Sequence, residues 1–136
     1  MSDFSIRPAH YAISVADLDA SIAWYEEMLG FRLVSKSYAG PPHSMIASIE
    51  RDGFQIELFL HDDTQPMPEF FRDPDAHPRQ QGPQHIAFYV NDLDALLEHL
   101  TARGVKILVG PGMMGETKFC YIADNSGIPL ELMQAP

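Results

Sequence analysis

Apolar and polar positions alternate along this chain with two periods. Short runs rich in β-branched, aromatic and small residues predict strands, and stretches with an apolar residue every third or fourth position predict helices. The first set is a strand at His10–Val15, a helix whose apolar face is Leu18, Ile22, Tyr25 and Leu29, and three strands at Phe31–Ser37, Ser44–Glu50 and Gln55–Leu60. Asp17 or Asp19 offers that helix an N-cap, and Gly30 stops it. The second set runs in the same order: a strand at His85–Val90, a helix with a Leu93, Leu96, Leu97 and Leu100 stripe, and strands at Val105–Val109, Lys118–Ala123 and Pro129–Met133. Asp92 or Asp94 caps the second helix and Gly104 ends it. The unit is βαβββ, written twice, which predicts the α+β class.

The two copies also match residue by residue. Val15-Ala16-Asp17-Leu18-Asp19-Ala20 returns as Val90-Asn91-Asp92-Leu93-Asp94-Ala95, 75 positions later, and His10 returns as His85 at the same offset. Gly53-Phe54-Gln55-Ile56-Glu57-Leu58 returns as Gly127-Ile128-Pro129-Leu130-Glu131-Leu132, 74 positions later. A one-residue slip is what two copies of one structural unit tolerate in a loop or helix end. The expected organisation is module 1 at about residues 6–60, a connection at 61–82 and module 2 at 83–136, together one domain. The connection carries Pro66, Pro68, Pro74 and Pro78 without a sustained period and reads as a long loop with little regular structure. Gly110-Pro111-Gly112-Met113-Met114-Gly115 reads either as a second lid, its flexible methionines closing over an apolar ligand, or as a turn between strands.

Composition narrows the class of function. At 136 residues with 46% hydrophobic content, the chain is ordinary globular sequence, long enough to bury a core without staples. Cys120 is the only cysteine, so no disulfide forms within one chain, and it sits in an apolar strand as an expected inert, buried thiol. A net charge of -10 repels phosphate backbones and anionic lipid surfaces, which argues against nucleic-acid and membrane partners. With neither a leader-like pattern at Met1–Pro8 nor a run of about 20 apolar residues, the expected location is the cytoplasm.

The repeat puts one histidine on the first strand and one glutamate on the last strand of each copy. Two like modules commonly pack about a pseudo-twofold axis, and strand side chains alternate faces. If His10 and Glu57 share a face, His85 and Glu131 share the matching one, and four donors converge on one cleft. Two imidazoles and two carboxylates suit Zn, Ni, Co, Fe or Mn, because these ligand types accept all of them. Of the remaining histidines, His43, His77 and His99 lack a partner at the repeat offset and read as surface residues, whereas His61 borders the proposed cleft. Asp62, Asp63, Asp73 and Asp75 read as solvated loop carboxylates.

His, Glu, His and Glu over two βαβββ modules resemble the vicinal oxygen chelate superfamily, which includes glyoxalase I, methylmalonyl-CoA epimerase, extradiol dioxygenases and fosfomycin or bleomycin resistance proteins. The resemblance covers nearly the whole chain. It is carried by His10-Tyr-Ala-Ile-Ser-Val, Trp24-Tyr25-Glu26-Glu27-Met28-Leu29-Gly30-Phe31, His85-Ile-Ala-Phe-Tyr-Val-Asn-Asp-Leu and Ala123-Asp124-Asn125-Ser126-Gly127-Ile128-Pro129-Leu130-Glu131-Leu132. It implies a curved mixed sheet around a metal-binding cleft, with His10, Glu57, His85 and Glu131 as ligands of a divalent metal. It also implies a small-molecule substrate that offers paired oxygens, and pairing of chains into a homodimer.

By similarity to glyoxalase I, the implied reaction is that of a lyase or isomerase working through an enediolate, with Glu131 as the base and Glu57 as its symmetric counterpart. Epimerisation beside a thioester carbonyl is the near alternative. An extradiol-type dioxygenase and a metal-free binding or resistance protein are the others. Ser14 stands where bacterial glyoxalases I carry an arginine that helps hold glutathione, and His61 where they carry an asparagine, so the resemblance fits the metal ligands more closely than it fits a glutathione site. Strand parity adds Ala12, Ser14, Gln55, Phe59, Ala87, Tyr89 and Met133 to the cleft wall, and His61 and Met113 complete the expected substrate pocket.

Overall fold

The computed structural model describes residues 4–38, 40 and 44–136, which leaves His43 outside the described residues. The chain forms two compact units, Met1–Gln65 and Pro66–Pro136. In the first unit β1 (His10–Ser14), α1 (Leu18–Leu29), β2 (Arg32–Tyr38), β3 (Met45–Arg51) and β4 (Phe54–Leu60) follow in order. The second contains α2 (Glu69–Arg72), a 3₁₀ turn (His77–Arg79), β5 (Ile86–Tyr89), α3 (Leu93–Thr101), β6 (Ile107–Met114), β7 (Thr117–Ala123) and β8 (Pro129–Gln134). Each unit holds a four-stranded mixed sheet, ordered β1-β4-β3-β2 in one and β5-β8-β7-β6 in the other. In both, the first strand runs parallel to the last and the other pairings are antiparallel. The fold is the α+β arrangement of two βαβββ units expected from the repeat.

The alternation of side chains decides what each sheet face does. In the first unit Ile13, Ala47, Ile49, Ile56 and Leu58 are buried, and α1 packs on β2, β3 and β4. Burying a side chain such as Ile56 or Leu58 contributes roughly 1.5–3 kcal/mol. The intervening positions His10, Ala12, Ser14, Gln55, Glu57 and Phe59 fall on the opposite face, exposed or half-buried. The second unit repeats this: Cys120, Ile122, Leu130 and Leu132 are buried, and α3 packs on β8.

The helix ends follow the same chemistry in both copies. Asp17 accepts a hydrogen bond from the Ala20 amide and Asp92 from the Ala95 amide, each 3.0 Å, satisfying donors that an unstarted helix leaves bare. Gly30 ends α1 at φ 69°, in the left-handed region that favours glycine. Here α1 departs from the expected stripe: Ser21 occupies a fully buried place while Ile22 is half-buried. The second helix stops at Thr101, before Gly104, whose amide reaches back to the Thr101 carbonyl at 3.0 Å.

The connection is mostly irregular, as expected, and one loop expectation is corrected. The proline-bearing connection contains α2 and the 3₁₀ turn, the latter with Pro78 in its first turn, where a missing amide hydrogen costs nothing. Of Gly110–Gly115, only Gly115 lies in a turn, between β6 and β7, and Gly110–Met114 is strand. It continues β6, pairing Gly112 with Phe119, Met113 with Lys118 and Met114 with Thr117. The glycines let the strand absorb a register shift between Val109 and Gly112, since a Cβ on Gly110 would lie 3.1 Å from the Phe119 carbonyl oxygen. No helix among the described residues is long and apolar enough to cross a membrane.

Cys120 is fully buried as expected, and burial pushes its thiol up to about 11 from an ordinary 9.0. The folded chain thus holds that proton more tightly than the unfolded one. The associated stability is complete below pH 9.0 and is lost as pH rises towards about 11, up to about 3 kcal/mol in all. At about pH 8 a disulfide reagent should modify the native thiol at least roughly 100-fold more slowly than the denatured one. Equal rates would place Cys120 at the surface.

Candidate metal and substrate site

The chemistry-bearing face of each sheet is built on its parallel strand pair. Ala12 lies opposite Glu57 in the β1–β4 ladder and Ala87 lies opposite Glu131 in the β5–β8 ladder. The histidine sits two residues before that alanine in both units, on the same face. His10 Nε2 meets a Glu57 carboxylate oxygen at 2.5 Å, and His85 Nε2 meets a Glu131 carboxylate oxygen at 3.0 Å. The structure thus joins the four predicted ligands as two pairs, each presenting one imidazole nitrogen and one carboxylate. Among the described residues, no three His, Cys, Asp or Glu side chains gather around one point as a metal-holding group. The donor types fit a divalent cation, being those of N/O metal sites.

The pairs differ in their surroundings. The Glu57 side chain is 26% exposed and that of Glu131 8%. Across the antiparallel neighbour, Glu57 faces Ser48, whereas Glu131 faces Tyr121. The Tyr121 hydroxyl hydrogen-bonds Glu131 and lies 3.5 Å from His85 Nε2, its ring edge-on to the imidazole at 5.0 Å. Burial, followed by the negative charge of Glu131, the hydrogen bond to it and the charge of Asp75, pushes the Tyr121 hydroxyl up from its ordinary range. It therefore keeps its proton and donates. Tyr121 escaped sequence reasoning because its counterpart across the first pair is a serine.

His77 corrects the surface reading given to it. It is 1% exposed and stacks on His85, with ring centroids 5.3 Å apart. His77 Nδ1 lies 3.3 Å from the Phe71 carbonyl oxygen, and its Nε2 lies 3.2 Å from His85 Nδ1. Belonging to the connection, it has no counterpart in the repeat, and no spacing signals it. His99 is exposed, as are Asp62, Asp63, Asp73 and Asp75.

The expected pocket residues divide by face. Gln55 lies opposite His10 and Phe59 opposite Ser14, all on the Glu57 face. Tyr89 lies opposite Met133, and Met133 opposite Phe119, on the Glu131 face. Met113 pairs with Lys118, one position out of step with Phe119, and so lies on the other face of its sheet. His61 follows β4, its Nδ1 at 2.7 Å from the Ser44 hydroxyl and its amide donating to the Thr64 hydroxyl at 2.9 Å. A groove of about 400 Å³ in the second unit, bordered by Arg72, Asp73, Lys106 and Leu108, takes in none of the predicted site residues.

Residues 7–132 match the Glyoxalase/Bleomycin resistance protein/Dioxygenase superfamily. The chain belongs to this superfamily. Among curated members, the Escherichia coli protein YaeR is 34% identical, over 92% of this chain and 93% of its own. A probable lactoylglutathione lyase of Synechocystis is 28% identical, covering 92% of each chain. Among solved structures, a glyoxalase family protein from Bacillus cereus superposes with a TM-score of 0.80 at 20% identity, covering 98% of this chain and 97% of that one. The fosfomycin resistance protein FosX from Listeria monocytogenes, solved with Mn(II) and sulfate, superposes at 0.69 with 18% identity, covering 98% and 95%. The superfamily thus includes enzymes and metal-binding proteins on this fold.

Proposed function

We propose that this chain is a metal-dependent lyase or isomerase acting through an enediolate on a small substrate with paired oxygens. One observation carries the reading: the imidazole–carboxylate pair occurs twice, at the same ladder register in both units. The proposal takes the two pairs as one donor set, His10, Glu57, His85 and Glu131, for a single divalent cation. When bound, the cation supplies Lewis acidity to the substrate oxygens on which charge develops.

The protein's own groups do the rest. Glu131 removes a proton from the carbon beside the substrate carbonyl and returns it to the neighbouring carbon, so the net change is an isomerisation. The Tyr121 hydroxyl, held at Glu131, fixes the direction from which that carboxylate works. Glu57, more exposed and lacking such a phenol, serves as ligand. Small side chains at Ala12, Ser14 and Ala87, with Phe59 and Met133, suit a modest substrate with an apolar body.

Elemental analysis tests the donor set. The purified protein should hold one divalent metal per site, and His10→Ala or His85→Ala should each lower its content well below that of the parent while the fold is retained. Full metal content in both variants would overturn the assignment. The reading also includes a homodimer, supported by the edge strand β2, which exposes Leu33, Val34 and Tyr38. Light scattering at micromolar concentration should report twice the 15.2 kDa chain mass, and a monomer alone would reject it.

A further inference from the structure

A carbonyl oxygen can only accept a hydrogen bond, and this gives the chain of rings in the second unit a direction. The Phe71 carbonyl faces His77 Nδ1, so that nitrogen carries the proton. Neutral His77 is then an acceptor at Nε2, and the atom facing it, His85 Nδ1, must be the donor. A neutral His85 with its proton on Nδ1 presents its lone pair at Nε2, the atom that stands 3.0 Å from the Glu131 carboxylate and 3.5 Å from the Tyr121 hydroxyl, whose hydrogen bond is to Glu131. Two acceptors face one another there, an arrangement that a cation between them satisfies. His77 is buried and stacked on His85, so its own ring has little room to turn and reverse the order.

We infer that His77 is a positioning residue that holds His85 in the Nδ1–H tautomer, leaving Nε2 free to ligate a divalent cation. This rests on the proposed metal reading. A ligating histidine whose other nitrogen is anchored binds metal more tightly, and loss of such a partner typically costs about 10–100-fold in affinity. In the first unit His10 is 41% exposed at its side chain and, among the described residues, has Glu57 as its polar partner. The tautomer device therefore belongs to the second pair.

The test reads the tautomer directly. Two-bond ¹⁵N–¹H correlation spectra of the metal-free protein at about pH 9, above the ordinary histidine range near 6.5, report which ring nitrogen is protonated. His85 is assigned by the resonance lost in His85→Gln. The proton should be on Nδ1 in the parent, should leave Nδ1 in His77→Phe, and should return to it in His77→Gln, whose amide oxygen can accept from Nδ1–H. Zn²⁺ affinity, measured by competition with a chromophoric chelator, should fall roughly 10–100-fold in His77→Phe and recover in His77→Gln. A proton on Nε2 of His85 in the parent overturns the inference, and so does an Nδ1 proton unmoved by His77→Phe. If the parent takes up no Zn²⁺ yet shows the His77-dependent tautomer, the metal reading fails and the positioning role stands.

Discussion

Glu131→Gln is expected to lower activity by about 10²–10⁴-fold while metal remains detectably bound. The amide keeps the shape and one coordinating oxygen but cannot take up a proton. Because Glu131 is the more buried carboxylate and the one held by Tyr121, Glu57→Gln should cost less. Solvent deuterium incorporation into a panel of α-hydroxy ketones, hemithioacetals and acyl-CoA thioesters reads proton exchange before the natural substrate is known. Exchange at the parental rate in Glu131→Gln would reject it as the base and move the role to Glu57 or His61.

The largest stability effect is expected at Leu58. It is fully buried on the helix-facing side of β4, between Glu57 and Phe59 on the open side. Leu58→Ala removes buried methyl groups and leaves a cavity that the sheet, tied on both sides by β1 and β3, cannot fully close. The expected cost is about 2–5 kcal/mol in urea unfolding, whereas Ser14→Ala on the open face should remain within about 0.5 kcal/mol. Comparable effects at the two positions would mean the faces are misassigned.

The fold was legible because each level of the sequence repeats the same message. Period-two alternation at Gln55–Leu60 and the aspartate caps at Asp17 and Asp92 are local signals, and the structure obeys them. The His–Glu pairs were legible through the repeat, which carries register as well as element order. What escaped lies where the copies differ. Tyr121 replaces a serine, His77 sits in a connection with no second copy, and Gly110–Met114 became strand because partner β7 was available to pair with it. Glycine and proline there announce a turn locally, but a neighbouring ladder outweighs that preference.

The division of labour between the faces of β4 has an evolutionary consequence. Ile56 and Leu58 are held by packing, and almost any change there is removed by loss of folding. Gln55 and Phe59, two residues away on either side of Glu57, contribute little to that core and can be exchanged freely as ligands change. A lineage can thus drift in specificity without crossing a valley of unfolded intermediates. The fold itself is shared with a Bacillus cereus protein at 20% identity, with a TM-score of 0.80. Substitutions that retrain this protein for a new substrate should therefore fall on alternate residues of the strands that carry Glu57 and Glu131.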